Sequence, residues 1–90
     1  MEASERIGRI YRDEWGPLLA TLIRLVGDLS IAEELAQEVF SAALQSWPSA
    51  GFPHSPRAWL IQTARHKAVD AFRQRSRLEA WQRELLGSMR

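Results

Sequence analysis

Apolar residues recur at helical spacing along most of this chain, and nowhere do they alternate as a half-buried strand would. From Ser4 to Val26, Ile7, Ile10, Tyr11, Leu18, Leu22 and Leu25 fall on one stripe, which predicts a first helix. Gly16-Pro17 lies inside it. The missing proline N–H predicts a kink or a restart around Trp15–Pro17, and Gly27 ends the helix. Ser30-Ile31-Ala32-Glu33 reads as a capping box that starts a second helix, running to about Trp47 and stopping at Pro48. The stretch PSAGFPHSP, residues 48–56, is loop by composition. Ser55 can cap a third helix with Pro56 at its first position, and that helix runs to about Arg75. A short further segment, LEAWQRELLG, puts Leu78, Trp81 and Leu85 on one stripe. The expected fold is all-α, a small bundle of three main helices plus a short C-terminal helix, in one domain over residues 1–90.

The second helix has an unusual surface. At about 100° per residue, Ile31, Ala32, Leu35, Ala36, Val39, Phe40, Ala42, Ala43 and Trp47 cover half its circumference or more. A helix this apolar is packed on two sides, which makes it the central one. What remains is a narrow strip of Glu34, Gln37, Glu38, Ser41 and Gln45, aligned at i, i+3, i+4, i+7 and i+11. A bundle helix needs a solvated face, but such faces usually mix both signs of charge, and this strip carries no cation. An acidic, amide-bearing strip would also dock a basic helix. Both readings stand on residue chemistry alone.

The third helix raises a different question. Leu60, Ile61, Ala64, Ala68, Ala71 and Phe72 make its apolar face, and Trp59 lies on the other side with Gln62, Thr63, His66, Asp70 and Arg73. The indole either covers a gap between helices or borders a nucleic-acid surface. Arg57, Arg65, Lys67 and Arg73 could hold phosphates, while Gln62 and His66 could reach base edges. Arg75 and Arg77 continue the basic spacing. Asp70 is spaced to orient His66, Lys67 and Arg73. Phe52, an apolar ring in a polar loop, either plugs the top of the bundle or walls a pocket for an extruded base.

Charge sharpens this picture. The net charge of +1 over 90 residues hides an asymmetry. Residues 1–47 carry four arginines against eight carboxylates, a net of −4, and residues 48–90 carry eight cations against three carboxylates, a net of +5. One acidic half and one basic half suit two partners of different charge, the second a polyanion. There is no cysteine, His54 and His66 lack companions at ligand spacing, and no nucleophile motif or Gly-rich phosphate loop occurs. No catalysis, metal or cofactor is therefore expected. The longest nearly apolar stretch, Pro17 to Ile23, is too short to span a bilayer, and MEASERIGR lacks a signal core, so a cytoplasmic protein without membrane contact is expected.

The runs IAEELAQEVFSAALQSWP and PRAWLIQTARHKAVDAFRQRSR, in this order and at this separation, resemble region 2 of bacterial sigma factors, in particular the extracytoplasmic-function group. The likeness extends from about Ile10 to Arg77. AEELAQEVF resembles that family's acidic-Leu-x-Gln-Glu-x-Phe pattern, and AWLIQTARHKAVDAFR resembles its Trp-Leu-x-x-x-Ala-Arg-Asn-x-x-x-Asp-x-x-Arg pattern. The W-P-x-x-G-x-P-x-x-P-x-A-W-L junction is similar to that of members with extra C-terminal domains. The resemblance implies that Glu34, Gln37 and Glu38, with Ser41 on the same strip, dock on the clamp helices of the RNA polymerase β′ subunit. It implies that the third helix and preceding loop bind and melt the −10 promoter element and hold a flipped base from its single strand. The DNA-binding set is then Phe52, Arg57, Trp59, Gln62, Thr63, Arg65, His66, Lys67, Arg73 and Arg75. An anti-sigma factor is a further expected partner. The chain departs from the family pattern at His66, where asparagine is common, and at Pro17. Nothing in it resembles the second domain that reads the −35 element. Two rivals make different demands: a sigma-like protein-interaction module would not need the basic face, and a generic basic DNA binder would not need the acidic strip.

Overall fold

The computed structural model describes residues 2–89; Met1 and Arg90, the ends of the expected domain, lie outside them. Three helices follow one another, α1 (Glu2–Val26), α2 (Leu29–Ala50) and α3 (Pro56–Ser88), with no strand among the described residues. The core places α2 in the middle. It supplies Ala32, Leu35, Ala36, Val39, Phe40, Ala43 and Trp47, whereas α1 gives Ile7, Leu18 and Leu22, and α3 gives Leu60, Ala64 and Ala68. The five alanines among these side chains let the helix backbones approach closely, and Trp47, Leu22, Leu60 and Val39 fill the space between them. Tyr11 and Leu25, expected on the α1 stripe, are instead exposed. Trp15 packs on the core in their place, with ring centroids 5.1 Å from Tyr11 and 6.0 Å from Phe40.

Four local expectations are corrected. Of the kink or restart expected around Pro17, the restart does not occur: α1 runs through Pro17. Pro17 is exposed, so water can reach the carbonyl its missing N–H leaves free, while the buried Leu18 beside it keeps the segment against the bundle. The cap of α2 is not Ser30 but Asp28, whose carboxylate accepts from the Ile31 N–H at 2.9 Å. Starting the helix at Leu29 buries Ala32 completely, and packing decides between two competent caps. α2 does not stop at Pro48 either. It carries Pro48 on an exposed face and ends at Gly51, whose φ of 95° suits glycine and whose N–H donates to the Trp47 carbonyl at 2.9 Å. The loop shrinks to residues 51–55. Finally, there is no separate C-terminal helix: the Leu78–Gly87 segment is the second half of α3. No proline or glycine interrupts it before Gly87, and Arg75 pairs with Glu79 one turn on.

Gly27, at φ 72°, ends α1 as expected, and Ser55 caps α3 by accepting from the Ala58 N–H at 3.2 Å, with Pro56 in the first turn. Past Ala71, every described residue of α3 is exposed, including Leu78, Trp81 and Leu85. The helix overhangs the bundle, which stretches the molecule to 61 × 25 × 18 Å. No helix is long and apolar enough to cross a membrane among the described residues.

Replacing Asp28 by alanine is expected to lower unfolding stability in urea by about 1 kcal/mol, and Ser30→Ala by less than about 0.5 kcal/mol. The reverse order would restore the capping box as the true helix start.

Candidate functional site

The burial of α2 on two sides turns one strip of it outward. Glu34, Gln37, Glu38, Ser41 and Gln45 are all exposed and line an open groove. α3 closes the groove's far side with Lys67, whose Nζ lies 3.6 Å from Glu38 Oε1. A second, adjoining groove runs from Ile31 and Glu34 across to Asp70 and Gln74. The strip on α2 is free of cations, as its sequence requires, but the fold brings one ammonium to its edge.

Trp59 is half-buried, and its position explains why an indole sits on the polar side of α3. Its ring meets the buried Trp47 edge-on, with centroids 5.2 Å apart and planes at 71°. Phe52 approaches the Trp47 indole from the loop, with centroids 5.5 Å apart. The Arg6 guanidinium then caps Phe52 from outside, 4.1 Å above its ring. Phe52 and Trp59 thus roof the core while keeping part of each ring accessible. The indole N–H of Trp47 is enclosed beneath them without an acceptor. Gln62, Arg65, His66 and Arg73 are exposed on the neighbouring outward face of α3, and Thr63 is half-buried beside Trp59's flank.

The basic residues separate into two kinds. Arg57 is engaged: its Nε donates to Glu14 Oε1 at 2.7 Å and a terminal nitrogen donates to Glu14 Oε2 at 3.2 Å. That hydrogen bond, and then the carboxylate's charge, raise the pKa of Arg57 above its ordinary value. Arg75 pairs with Glu79 at 3.3 Å and Lys67 with Glu38. Arg65 and Arg73 have no ion-pair partner among the described residues. Glu14 and Arg6 were invisible to sequence reasoning, because Glu14 meets Arg57 across 43 residues and no local spacing signals that contact. No group of three or more His, Asp or Glu side chains able to hold a metal occurs among the described residues.

An acidic groove on one helix thus lies beside an aromatic-edged basic face on the next. Residues 10–78, which span both, match the family described as sigma-70 region 2. The chain belongs to that family. Region 2 is a non-enzymatic module of sigma-factor-type transcription initiation, and the family's partners are RNA polymerase core and promoter DNA. The chain is also similar to an uncharacterised protein of Rhizobium meliloti, 41% identical over 59 residues. That alignment covers 66% of this chain and 14% of the relative, so the chain spans a small part of that protein's length. No solved structure matches the present chain.

For this sigma region 2 domain, Arg73→Gln is expected to flatten the salt dependence of single-stranded DNA binding by about 0.7 in log–log slope. Lys67→Gln is expected to flatten it less, because Lys67 faces Glu38. Fluorescence anisotropy across a salt series measures both.

Proposed function

We propose that this domain docks on the clamp helices of the RNA polymerase β′ subunit through Glu34, Gln37, Glu38 and Ser41, and that it recognises and melts the promoter −10 element with the 51–55 loop and the outward face of α3. The observation that carries this reading is the pairing of two surfaces of opposite character on adjacent, directly packed helices, both inside the region that matches the family. Docking needs rigidity and acceptors, and α2, the most buried helix, presents both. Arg65 and Arg73 hold phosphates, Gln62 and His66 meet base edges, and Trp59, with Phe52 beside it under the Arg6 guanidinium, offers an aromatic edge to an unstacked base.

Strand opening in this scheme is driven by differential binding: the domain holds unstacked bases and a single strand better than the duplex, and so shifts the equilibrium toward the open form. Affinity for DNA alone is weak. It becomes useful when docking on polymerase raises the local concentration of the reading face at the promoter. The two sequence motifs, in this order and at this separation, support placement in the extracytoplasmic-function group, whose members act in the cytoplasm and answer to anti-sigma factors.

The test is binding of the chain to an isolated β′ clamp-helix fragment by calorimetry. Wild type is expected to bind, and Glu38→Arg to weaken binding about tenfold or more, which corresponds to about 1.4 kcal/mol. Gln37→Ala is expected to weaken it to a smaller degree. A folded wild-type chain that ignores the fragment would reject the docking reading and favour a DNA-only binder.

A further inference from the structure

Arg57 stands in the first turn of α3, directly after the Ser55 cap and Pro56. A cation there faces the positive end of the helix dipole and is unfavourable by itself. Glu14 of α1 supplies the missing counter-charge with a two-pronged, fork-on-carboxylate contact at 2.7 and 3.2 Å. The two side chains are unequal: that of Glu14 is only 17% exposed, that of Arg57 61%. The carboxylate is the fixed partner, held on α1 beside Trp15, and the guanidinium reaches over to it. Exposed ion pairs are usually worth little, but bidentate arginine geometry is the recognised exception. Together Glu14 and Arg57 border a crevice between α1 and α3 that also includes Leu18, Thr21 and Leu60. The contact therefore ties α1 to the point where the 51–55 loop enters α3, two residues before Trp59.

We infer that Glu14 is a positioning residue for the single-strand-binding face: by holding Arg57 as a strut between α1 and the first turn of α3, it sets where the loop and Trp59 stand. Arg57 is then a brace rather than a phosphate contact. This rests on the DNA-binding half of the function proposed above. A face prearranged in this way loses less freedom when it captures a flexible strand, so releasing the strut weakens binding without removing a contact to DNA.

The experiment compares wild type, Glu14→Gln, Arg57→Gln, the exchange Glu14→Arg with Arg57→Glu, and Arg73→Gln as control, all confirmed folded by circular dichroism. Each is titrated with a labelled single-stranded oligonucleotide over a salt series. Glu14→Gln and Arg57→Gln are expected to weaken binding by roughly fivefold, the cost of about one side chain left unordered, with the salt slope unchanged. The exchange is expected to recover most of the loss, since a glutamate also suits a helix start. The Arg57 Nε–H nuclear magnetic resonance signal is expected to stay in place when DNA is added, a readout that separates a brace held by Glu14 from a direct phosphate contact, which would shift it. Tighter binding by Glu14→Gln, or an Arg57→Gln slope flattened by about 0.7, would show a phosphate contact restrained by Glu14 and overturn the inference. If wild type binds and Arg73→Gln flattens the slope, such a failure belongs to Glu14 alone. If folded wild type binds no single strand, the DNA-binding reading fails and this one with it.

Discussion

The burial of α2 on two sides constrains everything else in this domain. Its core residues, Ala32 to Trp47, face α1 on one flank and α3 on the other, and several are entirely shielded from solvent. A helix sandwiched in this way retains only a narrow arc of free surface. That arc is Glu34, Gln37, Glu38, Ser41 and Gln45. Because the backbone behind it is locked by packing, the spacing of these polar groups is rigid, which is what a docking strip requires. Fold and surface are therefore one problem: the same alanines that admit the neighbouring helices leave the acidic side chains nowhere to go but outward.

Trp47 extends this logic to the other surface. It is the largest buried side chain, it sits near the end of α2, and both Phe52 and Trp59 rest on it. The loop and the start of α3 thus take their position from a residue of the central helix. Helix capping by Ser55 and the Arg57–Glu14 contact then fix the direction in which α3 leaves. Beyond Ala71 none of the described residues packs on α3 laterally, and it continues as an overhanging helix because its sequence contains no breaker until Gly87.

Period and face were legible in the sequence because they depend on side-chain spacing alone. The polar strip of α2, the apolar face of α3 and the Ser55-Pro56 start all emerge from counting. Boundaries were less legible, because they depend on competition. Asp28 and Ser30 are both competent caps, and only the fit of Ala32 into the core selects Asp28. Pro17 and Pro48 both look like breaks, yet each falls on an exposed side of its helix, where a freed carbonyl can be hydrated and the neighbouring apolar contacts hold the chain helical. The Leu78–Trp81–Leu85 stripe has the right period for a packed helix but nothing within the described residues to pack on. The candidate residues themselves were readable as chemistry, while their pairings were not. Glu14 with Arg57 and Glu38 with Lys67 join different helices, and no local pattern announces a contact between distant segments.

Those pairings change what the charge asymmetry means. By composition the C-terminal half is strongly basic, but three of its eight cations are paired. Arg57 answers Glu14, Lys67 answers Glu38, and Arg75 answers Glu79. Each exposed pair adds little stability, yet each cancels part of the field that its residues would project. What remains unpaired among the described residues of α3 is Arg65 and Arg73, on the outward face that also carries Gln62 and His66, followed by Arg77 and Arg83 along the overhanging half. On α2 the same subtraction leaves Glu34 with the uncharged Gln37, Ser41 and Gln45, and Glu38 partly answered at the groove's rim. The two surfaces are consequently smaller and more sharply bounded than the half-chain charges suggest. A basic patch confined to one outward face of one helix can follow a single phosphate backbone, whereas a uniformly basic half-domain would bind any polyanion without orientation. In the proposed function, orientation is what would let the aromatic edge meet a base, so the ion pairs that lower the positive charge would also give the proposed reading face its direction.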